Sequence, residues 1–103
     1  MTRRRLQLFL IISVAQLVVL AGMAHGFNNA DVQKLNSTNR CEKCDLSSAN
    51  LSNTDMYGAS LAGANLAGAN LSESSFNDAD LTGANLKGAN LKGTNFAGAK
   101  LGN

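Results

Sequence analysis

Residues 59–71 read ASLAGANLAGANL, and their spacing decides the fold. Leucine recurs every five residues at Leu61, Leu66 and Leu71, with alanine two positions before each leucine and glycine two positions after the first two. Extended outward, the same beat runs from Cys44 to the end of the sequence. Its apolar centres are Leu46, Leu51, Met56, Leu61, Leu66, Leu71, Phe76, Leu81, Leu86, Leu91, Phe96 and Leu101. A period of five suits neither simple element. On an α-helix each step advances about 140° and scatters the leucines around the cylinder. On a flat strand an odd step puts successive leucines on opposite faces.

The two-residue spacing from alanine to leucine does place both on one face of a short extended segment, with the intervening Asn or Asp on the other. All centres then point inward only if the chain turns a corner after each segment. Glycine two positions past the centre supplies that corner, because it tolerates backbone angles closed to other residues. Asn53 and Asp78 are the next most tolerant types there, while Ser48 and Glu73 depart from the rule. A longer period sets the size of one turn. Met56, Phe76 and Phe96 replace leucine at intervals of twenty, and Thr54, Ser74 and Thr94 replace the small residue at the same interval. Twenty residues at five per side predict a four-sided coil, with bulky residues stacked in one column and hydroxyls in the column beside it. Coils spaced about 4.8 Å apart would pair like strands. Such a solenoid buries its core only by stacking its own turns.

The units Ala64-Asn65-Leu66-Ala67-Gly68 and Ala84-Asn85-Leu86-Lys87-Gly88 resemble those of pentapeptide-repeat proteins. The resemblance covers residues 44–103 and implies an all-β solenoid, a right-handed quadrilateral β-helix of about three coils. It also implies an interaction or scaffold module without catalysis, since fold alone says little of function.

The expected organisation is a signal segment over 1–26, a helical cap over 27–43 and the repeat over 44–103. Arg3, Arg4 and Arg5 precede an apolar run from Leu6 to Leu20, and Ala24 and Gly26 suit cleavage before Phe27. The competing reading is an uncleaved membrane anchor over residues 6–24, close to the length needed to cross a bilayer. Either way the remainder is expected outside the cytoplasm, in the periplasm, secreted, or in a thylakoid lumen. Met23 stands where a lipoprotein would need its cysteine. A short helix is expected over 29–38, capped by Asn28 or Asn29, with Asp31 in its first turn and Val32 and Leu35 over the first coil. No such cover is expected beyond Leu101, which leaves a pairing edge.

Cys41 and Cys44 are the only cysteines, and both fall on inward registers. Three readings stand for them: a disulfide pinning the cap to the first coil, as expected of an exported chain, two buried thiols filling core space, or a redox or metal role. Two thiols without histidine make half a zinc site. Exported members of the family resemble this entry, written here Cys41-Glu42-Lys43-Cys44-Asp45-Leu46.

The formal charge of the whole chain is +2. Counted from Phe27, six Lys and Arg face seven Asp and Glu, a net of −1. The only histidine, His25, lies within the expected signal segment. No catalytic residue, cofactor or metal site is therefore expected, and nucleic acid is not an expected ligand. Within the rod, residues 41–83 carry −5 and residues 84–103 carry +3. Lys87, Lys92 and Lys100 of the last coil are candidate interaction residues for an unknown protein partner or for a second copy. Their plainer role would be to guard an exposed edge. The alternative function is that of the family's DNA-mimicking topoisomerase inhibitors, which the charge balance and the export signal disfavour. Stacked Asn50, Asn70 and Asn90 are expected to form a hydrogen-bonded ladder or simply to be solvated.

Overall fold

The computed structural model describes residues 26–102. The signal or anchor segment expected over 1–26 lies almost wholly outside them.

Helix α1 runs Asn29–Thr38. Its N-cap is Asn28, whose side chain accepts a hydrogen bond from the Asp31 N–H at 3.1 Å. This satisfies one of the donors that a helix start leaves open. The helix ends where Asn39 turns left-handed (φ 60°) and returns its N–H to the Leu35 carbonyl. Leu35 is buried, with Val32 and Phe27 half-buried against the same core. Gln33, Lys34, Asn36, Ser37 and Thr38 are exposed.

From Arg40 onward the backbone follows a strict rule of parallel bridges between residues twenty apart. They run from Arg40 with Ser60 through Asp45 with Asn65 to Asp80 with Lys100. With one corner every five residues, each turn has four sides. Pairing thus begins at Arg40, four residues before the expected boundary at Cys44, because Cys41 already occupies a centre position. Its N–H donates to the Ser60 carbonyl at 2.7 Å.

Every corner residue is left-handed, including those that are not glycine. Lys43, Ser48, Asn53, Glu73 and Asp78 all have φ between 56° and 60°. Ser48 and Glu73, departures by composition, conform in shape. Each left-handed non-glycine residue costs about 1–2 kcal/mol. The two carboxylates at corners lie over glycines of the next turn: a Cβ on Gly93 would strike the Glu73 carboxylate, and one on Gly98 the Asp78 carboxylate.

The core is a column of the inward residues. Leu46, Leu51, Leu61, Leu66, Leu71, Phe76 and Leu81 are essentially inaccessible, with Ala49, Ala59, Ala64, Ala69 and Ala79 beside them. Each buried leucine contributes about 1.5–3 kcal/mol of transfer free energy. The expected special columns are present. Phe76 and Phe96 stack with ring centroids 5.6 Å apart, and Met56 lies in the same register. Beside them, Thr54, Ser74 and Thr94 form a hydroxyl column whose polar atoms are fully used. Ser74 Oγ donates to the Leu51 carbonyl at 2.6 Å and accepts from the Thr54 N–H at 3.0 Å, while Thr94 Oγ1 donates to the Leu71 carbonyl at 2.7 Å. The buried hydroxyls therefore carry little desolvation penalty.

Candidate interaction surface

The Asn and Asp side chains that stand between the small and the central residue of each unit are occupied locally, whereas the buried Asn77 Oδ1 has no hydrogen-bond partner among the described residues. Asn50 Oδ1 accepts from both the N–H and the hydroxyl of Ser52, at 3.1 and 2.7 Å. Asp45 with Ser47, Asn70 with Ser72 and Asp80 with Thr82 repeat the arrangement. Asn65, Asn85, Asn90 and Asn95 make the backbone half of it. Each bond reaches two residues along the chain, the Asx-turn geometry that fixes a bend. The ladder reading of Asn50, Asn70 and Asn90 is thus replaced by one in which each Oδ1 braces its own corner.

Cys41 and Cys44 form a close pair, with Cα atoms 5.3 Å apart. Both are buried. They occupy the positions that leucine and alanine hold at other corners, and the Cys44 N–H donates to the Cys41 carbonyl as Ala49 does to Leu46. The pair spans the first corner inside the first coil and does not join helix to coil. That corrects the expected pinning role, and the reason is register: the coil has already begun at Arg40. The helix is reached only through a 3.2 Å approach of Cys41 Sγ to the Asp31 carbonyl. Besides the burial of Leu35, α1 is tied down by Asn28 N–H to the Asp45 carbonyl at 3.0 Å, Asp45 N–H to Asp31 Oδ2 at 2.8 Å, and Asn39 Nδ2 to the Tyr57 carbonyl at 2.9 Å.

Lys87, Lys92 and Lys100 are all exposed on the coil of residues 84–101. They do not share one environment. The Lys100 backbone pairs with that of Asp80 in the turn above. The Asp80 carboxyl is held below its ordinary range first by the Thr82 hydroxyl and N–H, with Lys100 adding to it against a small burial effect. On the acidic part of the rod, Asp78 raises the Tyr57 phenol by accepting from it and by its charge. Asp78 and Asp80, two residues apart, serve separate partners and converge on no common point. Among the described residues no group of His, Cys, Asp or Glu could hold a metal ion.

The edge below residues 84–101 went unresolved in detail by sequence reasoning. Among the described residues nothing pairs with the N–H groups of Leu86, Gly88, Leu91 and Gly93 or the carbonyls of Ala84 and Ala89. Leu91 and Leu101 are 41% and 52% exposed there. The signal available in the sequence was the beat itself, since two inter-turn donors per five residues follow from it.

This geometry, inward aliphatics on a five-residue beat and parallel pairing at twenty, defines a β-solenoid of stacked turns. The chain belongs to the pentapeptide-repeat family: the family model for pentapeptide repeats matches residues 40–78 and 74–103. It is similar to the crystal structure of the pentapeptide repeat protein Rfr23 from the cyanobacterium Cyanothece 51142. The two are 34% identical with a TM-score of 0.50, over 59% of this chain and 46% of that one. A second similar structure is HetL, a pentapeptide repeat protein involved in heterocyst differentiation regulation from Nostoc sp. strain PCC 7120. It is 35% identical, with a TM-score of 0.37, over 58% of this chain and 29% of that one. The chain spans less than half the length of either structure. No curated protein matches it. The fold is accordingly a right-handed β-helix solenoid, and proteins of this family are generally non-catalytic.

Proposed function

We propose that this chain is an exported, non-catalytic pentapeptide-repeat module that acts by protein–protein interaction or as a structural scaffold. In this reading the four-sided rod has about three coils, a helical cap over its first coil and a disulfide between Cys41 and Cys44. The observation that carries the reading is the contrast in hydrogen bonding. Side-chain oxygens on the rod faces brace their own corners, whereas the edge of residues 84–101 presents amides and carbonyls without partners among the described residues. An unpaired strand-like edge beside exposed leucine is a template for another chain. The arginine and apolar run of residues 3–20, read as an export signal, supports a place outside the cytoplasm, where a disulfide persists. The DNA-mimic alternative calls for a strongly acidic rod. It is disfavoured by the net charge of −1 from Phe27 onward and by three lysines on one coil.

The test is crosslinking of the tagged protein in its native extracytoplasmic fraction, followed by capture and mass spectrometry. A single abundant attached protein is the expected result. Recovery of a topoisomerase, or accumulation of the protein in the cytoplasm, would overturn the reading.

A further inference from the structure

The four sides of the rod differ in charge, and one differs from the rest. It comprises residues 53–58 of one turn and residues 73–78 of the following turn, stacked in register with Asp55 bridged to Ser75. Asp55, Glu73 and Asp78 are exposed on it, and these two stretches contain no lysine or arginine. Lys92 and Lys100 lie beyond the two corners, on the neighbouring sides. None of the three carboxylates is in an ion pair among the described residues, where Arg40 pairs with Glu42 on another side.

The same side carries Tyr57, which is 61% exposed. Other units place small or polar residues at this position, such as Ser52, Ala62, Asn77 and Ala97. The core does not call for the ring, yet the residue is held at three points. Its N–H donates to Asp55 Oδ1 at 3.1 Å, its carbonyl accepts from Asn39 Nδ2 at 2.9 Å, and its hydroxyl donates to the Asp78 carboxylate. An exposed aromatic already fixed in place loses little freedom when a partner covers it. Twenty residues on, in the following turn, the buried Asn77 Oδ1 has no hydrogen-bond partner among the described residues. A buried acceptor without a donor calls for an explanation.

We propose that this side is a docking face for an arginine-bearing polypeptide segment, with Tyr57 as the stacking platform and Asp55, Glu73 and Asp78 as counter-charges. The inference rests on the interaction-module reading above and names the partner's chemistry. It concerns stacked turns, away from the edge of residues 84–101. A guanidinium stacks on an aromatic face and binds a carboxylate through two N–H groups. Tyr57 and Asp78, already joined, offer one arginine both contacts. Asp55, on the same turn as Tyr57, and Glu73, at the opposite corner from Asp78, extend the negative field to a second cation. The guanidinium's five N–H donors are enough to serve the carboxylates and Asn77 Oδ1 together. A second copy fits poorly, because Arg40, the one arginine from Phe27 onward, is already paired with Glu42. A nucleic acid fits poorly too, since its phosphates would face carboxylates.

The chain contains one tyrosine and no tryptophan, so its intrinsic fluorescence reports on Tyr57. The experiment titrates the full chain with an unlabelled peptide of alternating Arg and Ser, beside one of alternating Glu and Ser. A saturable change in tyrosine fluorescence is expected with the first and none with the second. Calorimetric titration then compares variants that keep the native circular dichroism. Tyr57→Ala should weaken binding about twofold to fivefold, as an exposed cation–π contact allows. Asp55→Asn/Glu73→Gln/Asp78→Asn keeps a side-chain oxygen at each position and should weaken binding about tenfold or more. Glu42→Gln/Asp45→Asn/Asp80→Asn removes the same charge from other sides and should change binding by less than about twofold. Equal weakening by the two triple variants, unaltered binding by Tyr57→Ala, or preferential competition by spermine would overturn the proposal. A crosslinked native partner mapped to another side, with no binding of the arginine peptide, would overturn the docking face while leaving the interaction reading intact.

Discussion

At the helix end, Leu46, Leu51 and Met56 are buried, and Leu35 of α1 joins their core. At the other end Leu86 and Phe96 are half-buried and Leu91 is 41% exposed, although the same register turns all of these residues inward. The sequence unit is nearly constant along the rod, so the difference is one of neighbours. A pentapeptide cannot bury its own centre; it is covered by the turn above and the turn below.

The comparison breaks most visibly in the core. Leu66→Ala, with a turn on either side, should destabilise the protein by about 2–5 kcal/mol, and Leu91→Ala by less than about 1.5 kcal/mol. Urea denaturation of the two variants checks this. Equal losses would mean that the last coil is covered as fully as the middle.

A smaller effect is expected from the first corner. Replacing Cys41 and Cys44 together by Ala removes the proposed disulfide, whose loop of a few residues is worth about 2 kcal/mol by loop-closure entropy. The loss should leave α1 docked, because its ties run through Asn28, Asp31 and Asn39. Loss of the helical signal in circular dichroism would show instead that the pair anchors the cap.

At the next corner, Ser48→Gly should stabilise by about 1 kcal/mol by relieving a left-handed non-glycine residue. A fall in the denaturation midpoint would mean that the Ser48 hydroxyl contributes more than its backbone costs.

The smallest effect concerns acid. The folded Asp80 carboxyl is held low by Thr82, then by Lys100. A lowered folded value means that its contribution is fully present above the unfolded value, about 3.9, and is lost as pH falls through the folded one. Thr82→Val should therefore flatten the loss of stability as pH falls below about 4. An unchanged acid profile would contradict this.

Much of the fold was legible because it rests on side-chain type. The twenty-residue spacing of Met56, Phe76 and Phe96 fixed the size of a turn, and the hydroxyl column followed from Thr54, Ser74 and Thr94. Asn28 and Asp31 marked the start of α1. What escaped depends on backbone shape. Arg40 belongs to the first coil, yet nothing in its composition marks it, although the inward register of Cys41 was legible. Ser48 and Glu73 adopt the glycine corner because pairing with the following turn imposes it: their N–H groups donate to the carbonyls of Ala67 and Lys92. The use of each Asn Oδ1 on its own corner was hidden as well, since an outward Asn reads equally as ladder, brace or solvated group. Of the candidate site, the three lysines were visible, but not that Asp80 sits over Lys100.

Amide hydrogen exchange, residue by residue, tests the central claim most directly. Stacked turns with pairing at twenty residues predict slow exchange at Leu61, Gly63, Leu66 and Gly68, and fast exchange at Leu86, Gly88, Leu91 and Gly93 in the free protein. Comparable protection of both sets, or slow exchange only in the second, would contradict the account.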